Sequence, residues 1–313
     1  MTLTRVSFTC RLLTIAAVAC SLAFLLAPCA SADSIPLGAA ANYSVLYEGT
    51  GGHNLQITNV TVNGNIGVGG TGVVQVGGPS FIGGQLDFSA ANTGQFHNNN
   101  PGNVGPSPIT YGNANVTSAL STVNSLNTGI AGLAGTNLAI SNGNTTVNAI
   151  NGMLDVFGGH DYRVFDVTSY SQVNGNVFTI NGDAAGDIVV FNFTSGVNLG
   201  GDTTLNGLTA DQVLWNFTGS GNVQLNNNAS SFPLPLAFQG VILAPGNVMS
   251  MTNANLNGRF FGGDSGDMQI VSGSTINVAG VTPPPPVPEP STLALSGCGI
   301  LFGLLGFAAL RRL

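Results

Sequence analysis

A short unit, an apolar residue followed by Asn-Gly, recurs along this chain and constrains its fold more than any other feature. Asn and Gly both tolerate positive φ angles, so each copy can turn the chain between two short strands. Hairpins and the corners of a coiled β-solenoid both use such turns. The Asn-Gly pairs of these units begin at Asn63, Asn151, Asn174, Asn181, Asn206 and Asn257. Asn174, Asn206 and Asn257 are 32 and then 51 residues apart, so any solenoid here has irregular coils.

Between the turns, the apolar residues follow the patterns of β-strands. Apolar and polar residues alternate over residues 56–62, and short apolar runs of the buried type occupy 187–193, 213–217 and 240–243. The sequence therefore predicts a mainly β body.

One segment has helical spacing instead. Its apolar residues lie three or four positions apart, at Val116, Ala119, Leu120, Val123, Leu126, Ile130 and Leu133. This spacing predicts an amphipathic helix over about 116–127 or slightly beyond, with Asn115 as its N-cap. The predicted fold class is an irregular β-solenoid or β-helix-like body with one packed amphipathic α-helix.

Residues 1–32 have the order of a secretory signal peptide. A basic region with Arg5 and Arg11 precedes an apolar core, and Ala30-Ser31-Ala32 is an A-x-A site. We expect cleavage between Ala32 and Asp33. A lipoprotein site at Cys29 is the alternative, although the preceding proline matches a lipobox poorly.

The C-terminal segment predicts a membrane-spanning helix with a basic tail. Residues 291–310 are uncharged and apolar, long enough to cross a bilayer at ~1.5 Å per residue, and Arg311-Arg312 follow. These arginines favour a cytoplasmic C-terminus, which places the body outside the inner membrane. A proline-rich spacer, 282–290, precedes this 291–313 segment and contains Pro288-Glu289-Pro290.

This arrangement of Pro288, Glu289, Pro290, the apolar segment, Arg311 and Arg312 resembles the PEP-CTERM sorting signal of Gram-negative bacteria. The resemblance implies processing by an exosortase, a membrane transpeptidase that would be a partner of the chain. It also implies an inner-membrane-anchored intermediate, followed by delivery to the outer surface or extracellular matrix. An ordinary tail anchor is the alternative.

The body between these ends carries little charge. Only Arg163 and Arg259 are basic between residues 33 and 282, against twelve acidic residues, which gives a net charge of about −10. Nucleic-acid binding is excluded on this ground, because phosphate contacts require Lys or Arg. The four cysteines (Cys10, Cys20, Cys29 and Cys298) all lie outside the body, so it has neither disulfides nor thiol chemistry.

The domain 33–281 resembles a known family in three stretches. Residues 37–46 lead into 62–70, 213–217 follow, and 240–245 precede 254–258. Their order is similar to that of the choice-of-anchor A domain, a module of exported bacterial proteins. This resemblance implies a β-rich cell-surface or matrix protein without catalytic residues.

The opening and closing segments also resemble ice-binding-type β-solenoids with one flanking helix. That resemblance implies binding through flat arrays of regularly spaced threonines. Threonines are present here, but no T-x-T repeat is.

Three kinds of site are considered for the body. His160-Asp161, close to Ser169 and Ser171, is the only candidate for nucleophilic catalysis, and a surface turn explains it better. We therefore expect no enzymatic activity and no required cofactor. Calcium is a better candidate than a metal held by Cys or His, since four carboxylates near glycine-rich turns could supply oxygen ligands; turn chemistry alone is the alternative explanation of these residues: Asp183, Asp187, Asp264 and Asp267.

Aromatic side chains are the candidates for carbohydrate contact. Tyr162 and Tyr170 flank a predicted strand over 164–167 and are the first choice, whereas Trp215 shares a strand face with Val213 and Phe217 and is expected in the core. The predicted function is an exported structural or adhesive protein of the cell surface or exopolysaccharide matrix, with exopolysaccharide or other surface proteins as partners. A carbohydrate-, calcium- or ice-binding module is the alternative.

Overall fold

The structure, a computed structural model, describes residues 34–92, 94–183, 188–226, 237–264 and 266–278. These residues form many short strands, one long helix and four short 3-10 helices at Gly38–Asn42, Thr50–Gly52, Ala149–Asn151 and Ala210–Gln212. Almost all strand pairs are parallel, so the chain coils repeatedly in one direction.

The helix α1 spans Ala114–Ala131. The strands are β1 (Tyr43–Tyr47), β2 (Asn54–Thr58), β3 (Thr61–Asn63), β4 (Asn65–Val68), β5 (Val73–Gly77), β6 (Phe81–Ile82), β7 (Leu86–Ser89), β8 (Phe96–Asn98), β9 (Ile109–Asn113), β10 (Thr136–Ile140), β11 (Thr145–Asn148), β12 (Met153–Phe157), β13 (His160–Tyr170), β14 (Val177–Asn181), β15 (Ile188–Phe193), β16 (Asn198–Leu199), β17 (Asp202–Asn206), β18 (Val213–Phe217), β19 (Asn222–Leu225), β20 (Phe238–Ala244), β21 (Val248–Thr252), β22 (Asn255–Gly262), β23 (Met268–Val271) and β24 (Thr275–Asn277).

The coils stack into a rod with three faces. The first, called here the helix-covered face, has the strand order β10-β13-β15-β18-β20-β22-β1-β4-β7-β9. The second face has the order β16-β19-β21-β23-β2-β5-β8. The third face contains β11-β14-β17 at one end and β24-β3-β6 at the other, and the first residues of β20 and β22 lie between them. This is the arrangement of an irregular β-solenoid.

The chain enters the rod in the middle rather than at an end. β1 lies between β4 and β22, with Val45 opposite Phe260 and Tyr47 opposite Gly262. The first coils run from β1 to one end of the rod at β9. Helix α1 follows, and the chain then starts again at the other end with β10 and coils back to β22. The contacts of β22, β23 and β24 with β1, β2 and β3 form a seam that joins the two halves.

Several Asn-Gly units form one corner of the rod, between the third face and the helix-covered face. Asn63 ends β3, Asn181 ends β14, Asn206 ends β17, and Asn257 lies where β22 passes from one face to the other. Gly258 has φ +154°, and a Cβ atom there would lie 1.9 Å from the carbonyl oxygen of Gly240 on the next coil. The glycine is therefore required by the close approach of neighbouring coils.

The core fills the interior of the rod. Trp215 is fully buried, as its position in an alternating strand predicted, and its ring lies 4.7 Å from that of Phe191 and 4.6 Å from that of Phe238. Its indole Nε1 donates a hydrogen bond to Gln239 O at 2.9 Å, so the one polar atom of this ring is satisfied.

Helix α1 covers the first face with a second apolar layer. Val116, Ala119, Val123, Leu126 and Ile130 are buried against outward-facing residues of β15, β18, β20 and β22. The predicted helix is confirmed, but it begins two residues earlier and ends four residues later than 116–127. Asn113, not Asn115, is the N-cap, since its side chain accepts a hydrogen bond from the Asn115 N–H at 2.9 Å. Sequence spacing locates a helical face better than a helix end.

Only one strand pair in the described residues is antiparallel. β12 and β13 form a hairpin in which Phe157 pairs with His160 across Gly158-Gly159. Both glycines have positive φ angles, 61° and 84°, as a two-residue hairpin turn requires. His160 therefore directly follows a surface turn, in agreement with the prediction that a surface turn, rather than catalysis, explains the His160-Asp161 pair.

Candidate binding surfaces

The third face carries a ladder of asparagine side chains at the corner of the rod. Asn181 Nδ2 donates to Asn148 Oδ1 at 2.8 Å, and Asn206 Nδ2 donates to Asn181 Oδ1 at 2.8 Å. These partners are 33 and 25 residues apart in sequence. Each amide thus bonds to the equivalent amide of the next coil, and the sequence shows no period because the coils differ in length.

A second asparagine ladder lies towards the other end of the same face. Asn63 Nδ2 donates to Asn277 Oδ1 at 2.7 Å, and Asn277 Nδ2 donates to Asn257 Oδ1 at 3.3 Å. Asn63 and Asn277 are 214 residues apart and meet only because the seam joins β3 to β24. The ladder therefore crosses the junction between the two halves of the rod.

Threonines form columns beside these ladders. Thr146, Thr179 and Thr204 are in register on β11, β14 and β17, and Thr275 pairs with Thr61 on β24 and β3. In each of these five strands the threonine precedes an apolar residue and an asparagine. The repeat is thus T-x-N. It is not the T-x-T pattern of regularly spaced threonines, and its copies align only in the folded rod.

The second face carries a different column of polar side chains. Gln224, Ser250, Gln269, Gln56, Gln75 and His97 occupy equivalent outward positions on successive strands. Parallel strands lie about 4.8 Å apart, so the third and second faces both present hydrogen-bonding groups at a constant spacing. Helix α1 covers the middle of the first face, so the second and third faces are the candidates for binding along the described part of the rod.

The helix leaves an open groove beside it. About 680 Å³ in volume, the groove is bordered by small polar side chains of α1, including Ser118, Ser121 and Ser125, and by Phe157. No titratable group lines it.

The two tyrosines predicted to contact carbohydrate are less exposed than such a role requires. Tyr162 is 0 % exposed and packs in the layer beneath α1, so its ring is not available to a sugar, and this choice was wrong. Tyr170 is partly buried, and its hydroxyl donates to Gly200 O at 2.9 Å. Burial raises the pKa of the Tyr170 hydroxyl. Both residues belong to β13 itself, which extends beyond the predicted 164–167, rather than flanking it.

The carboxylates considered for calcium have other partners. Asp183 accepts from Arg163 at 2.9 Å, and Asp267 accepts from the Asn54 N–H at 2.7 Å, with His53 Nδ1 at 3.8 Å. Asp264 accepts from the Thr50 hydroxyl. Asp187 lies outside the described residues. Within the described ranges, no group of three or more His, Cys, Asp or Glu side chains is arranged to hold a metal. Calcium binding stays a prediction, which a melting-temperature measurement with added Ca²⁺ tests.

The two ends of the chain lie outside the described residues. These ends include the signal-cleavage residues Ala30, Ala32 and Asp33, the sorting residues Pro288, Glu289, Pro290, Arg311 and Arg312, and the apolar segment 291–313. Among the residues that the structure does describe, no helix combines the length and apolar character needed to cross a bilayer.

Comparison with protein families identifies the body. A family model described as "Putative Ice-binding-like adhesive domain" matches residues 35–274. The chain belongs to this family. The description is of an adhesive domain, consistent with a protein that is not an enzyme. No curated sequence is significantly similar to the chain.

Several solved structures of ice-binding proteins are similar to the chain. The protein from the Antarctic ascomycete Antarctomyces psychrotrophicus aligns with a TM-score of 0.50 and 15% identity, over 79% of this chain and 100% of that one. An ice-binding protein from an Antarctic Flavobacteriaceae bacterium aligns with a TM-score of 0.49 and 16% identity, over 78% of this chain and 47% of that one. The glycosylated LeIBP of an Arctic yeast aligns with a TM-score of 0.48 and 16% identity, over 80% of this chain and 97% of that one. At 15% identity, the likeness to the Antarctomyces protein concerns the fold alone, which in this chain is a mainly β body with parallel sheets and one helix.

Proposed function

We propose that this protein is an exported, non-enzymatic adhesive component of the bacterial cell surface or exopolysaccharide matrix. The observation that carries the proposal is the third face, where threonine and asparagine side chains from successive coils stand in register. Such a face is rigid and repetitive, because each side chain is fixed by the sheet and by its neighbour. Repetition suits contact with an extended surface better than with a small molecule. The family description as an adhesive domain supports the same conclusion.

The export route is part of this proposal. The signal peptide at residues 1–32 and the Pro288-Glu289-Pro290 segment support export, an inner-membrane intermediate and processing by an exosortase-type enzyme. The likeness of the body to choice-of-anchor A domains is in keeping with a module that is attached through interchangeable C-terminal signals.

The intact mass of the protein recovered from the outer surface of its producer tests the route. We expect a species that begins at Asp33 and ends near Pro288. A species that retains residues 291–313 and is found only in the inner membrane would contradict delivery to the surface.

Deletion of the gene tests the adhesive role. We expect the deleted strain to form a matrix that binds fewer cells, with restoration by the wild-type chain. Normal cell retention in the deleted strain would show that the protein is not an adhesive component.

Ice binding is a second candidate, favoured by one specific observation. Thr146, Thr179 and Thr204 form an in-register column of β-branched hydroxyl side chains on the third face. A regular column of this kind can order water against a flat surface.

Inhibition of ice recrystallisation tests this candidate. The variant Thr179→Lys places a long charged side chain at the centre of the column and should abolish the inhibition. Gln56→Lys, at an equivalent central position on the second face, is the matched control and should leave it intact. If the wild-type protein does not inhibit recrystallisation, the candidate is wrong.

A further inference from the structure

We propose that the third face has a carbohydrate-binding platform centred on Phe81, which accepts an uncharged polysaccharide chain. This inference rests on the proposed adhesive function and names the class of ligand and the place where it docks.

Phe81 differs from the phenylalanines of the core. Its side chain is 40% exposed and projects outward from β6, whereas most other phenylalanines of the rod are fully buried. Phe81 pairs with Thr61, which pairs in turn with Thr275, so the ring continues one of the threonine columns. An exposed aromatic ring thus ends a column of hydroxyl side chains.

The outer edge of the Phe81 ring lies over Gly83, the residue two positions later. A Cβ atom on Gly83 would be 2.9 Å from Cε1 of Phe81 and 3.3 Å from its Cζ. Any larger residue would lift the ring from the sheet. The glycine therefore leaves room for the ring in its present position, where its exposed apolar surface is available to pack against the apolar face of a sugar ring.

A hollow lies on each side of the ring. One, about 300 Å³, is bordered by Thr61, Ser80, Thr275 and the backbone of Gly102. The other, about 480 Å³, is bordered by Asn42, Asn63, Asn65 and Arg259. Phe81 borders both hollows. A polymer that crosses the ring therefore has space for its adjacent units on both sides.

The chemistry of the two hollows matches sugar hydroxyls. Hydroxyl and amide groups supply both donors and acceptors, whereas the ring supplies the apolar contact. The single charged side chain among the lining residues is Arg259. Arg259 is only 5% exposed, and its guanidinium already donates to Tyr43 O at 3.0 Å and lies 3.5 Å from Asp211 Oδ1. The platform thus offers little charge to a ligand, and we infer a neutral polysaccharide rather than an acidic one.

Calorimetric titration of the full chain tests the platform. The probes are cello-oligosaccharides as a defined neutral chain, oligogalacturonate as a defined acidic chain, and the exopolysaccharide purified from the producer. We expect binding of the cello-oligosaccharides or of a neutral fraction of the exopolysaccharide. Phe81→Ala should weaken this binding roughly tenfold or more, because it removes the stacking surface.

Three further variants separate stacking from a general change at this end of the rod. Phe81→Tyr keeps the ring and should bind within about threefold of the wild type, by the same stacking argument. Gly83→Ala keeps Phe81 but lifts its ring, and should weaken binding nearly as much as Phe81→Ala. Tyr111→Ala removes another exposed ring, which stacks on Phe88 at 4.8 Å and borders neither hollow, and should have no effect. All four variants should melt within a few degrees of the wild type, since the altered side chains are exposed.

Several results would overturn the platform. They are no binding of any probe, equal binding by wild type and Phe81→Ala, binding of oligogalacturonate alone, or a Phe81-dependent protein partner without carbohydrate binding. Each of these leaves the adhesive function standing if the deleted strain still loses cell retention. Conversely, normal retention in the deleted strain contradicts the adhesive function whatever the titrations show.

Discussion

Glu48 is a carboxyl group held between the first coil and the helix. It follows β1, is 8% exposed, and accepts a hydrogen bond from Asn124 Nδ2 of α1 at 2.9 Å. The pKa of Glu48 is raised to about 7, mainly by burial; the Asn124 hydrogen bond lowers the pKa, and the negative charge of Asp264 raises it, within that net shift. Near neutral pH the group therefore changes charge beneath the helix.

The pH dependence of stability follows from this shift. The pKa is higher in the folded protein than in the unfolded chain, so the folded state binds the proton more tightly. Stability should therefore fall as the pH rises from about 4.5 to about 7, by at most about 3 kcal/mol from this group. Glu48→Gln keeps an acceptor for Asn124 and should remove this part of the slope. Melting temperatures at pH 5 and pH 8 measure it.

Asp161→Asn, at an exposed position of the hairpin, is the matched control and should leave the slope as in the wild type. A Glu48→Gln variant with the wild-type slope would show that Glu48 does not titrate differently in the folded protein.

At the scale of elements, α1 is fixed to the rod by amide groups as well as by apolar contacts. Asn127 Nδ2 donates to Asn216 Oδ1 at 2.8 Å and to Phe217 O at 2.9 Å. Asn216 is fully buried, and its Nδ2 donates to Asn192 Oδ1 at 2.9 Å. Asn192 Nδ2 in turn donates to Ile130 O of the helix at 3.3 Å. Apolar contacts would allow the helix to slide, whereas this network fixes its position along the face.

Substitution of Asn127 should therefore lower the free energy of unfolding by more than is usual for a partly exposed residue. In Asn127→Ala, the buried Asn216 oxygen loses its donor, and the free energy of unfolding should fall by about 1–3 kcal/mol. Urea denaturation measures the change. Asn115→Ala alters the same residue type on the same helix at an exposed position, and should change stability by less than about 0.5 kcal/mol. Equal effects of the two substitutions would contradict a structural role for the network.

At the scale of the whole molecule, the seam makes the two halves of the rod one folding unit. Phe260 of β22 is fully buried and lies opposite Val45 of β1, so its contacts cross the seam. We expect Phe260→Ala to lower the free energy of unfolding by about 3–5 kcal/mol while unfolding remains a single transition. Phe81→Ala, at an exposed position, is the control and should cost less than about 0.5 kcal/mol. Calorimetry with two separate transitions would show that the halves are independent.

The sequence predicted the individual strands and the helix better than it predicted how successive coils line up with one another. Period-two patterns located the strands, three- and four-residue spacing located α1, and alternation placed Trp215 in the core. These signals are local, and local patterns survive in any alignment of the coils. Several Asn-Gly units lie at a corner of the rod, as predicted, but Asn257-Gly258 lies inside β22 rather than between two strands.

The binding surfaces could not be predicted from the sequence, because they depend on which residues of neighbouring coils lie side by side. Asn148, Asn181 and Asn206 form a ladder although their spacing varies, and Asn63 meets Asn277 only across the seam. Tyr162 was chosen as an exposed ring because the sequence does not show which side of β13 the helix covers. Phe81 was overlooked, although Phe81-Ile82-Gly83 carries a signal: an aromatic residue two positions before a glycine on the same side of a strand.

The position of the seam also has a consequence for the C-terminal anchor proposed above. β24 belongs to the seam, and Val278 follows it directly, so the described chain leaves the rod near its waist rather than at a tip. Ten strands at about 4.8 Å give the rod a length of roughly 45 Å. An anchor attached near the middle of such a rod would hold it side-on rather than end-on. With the C-terminal anchor proposed above, the long sides of the rod would lie along the membrane that holds the anchor, and both tips would stay free to contact neighbouring molecules.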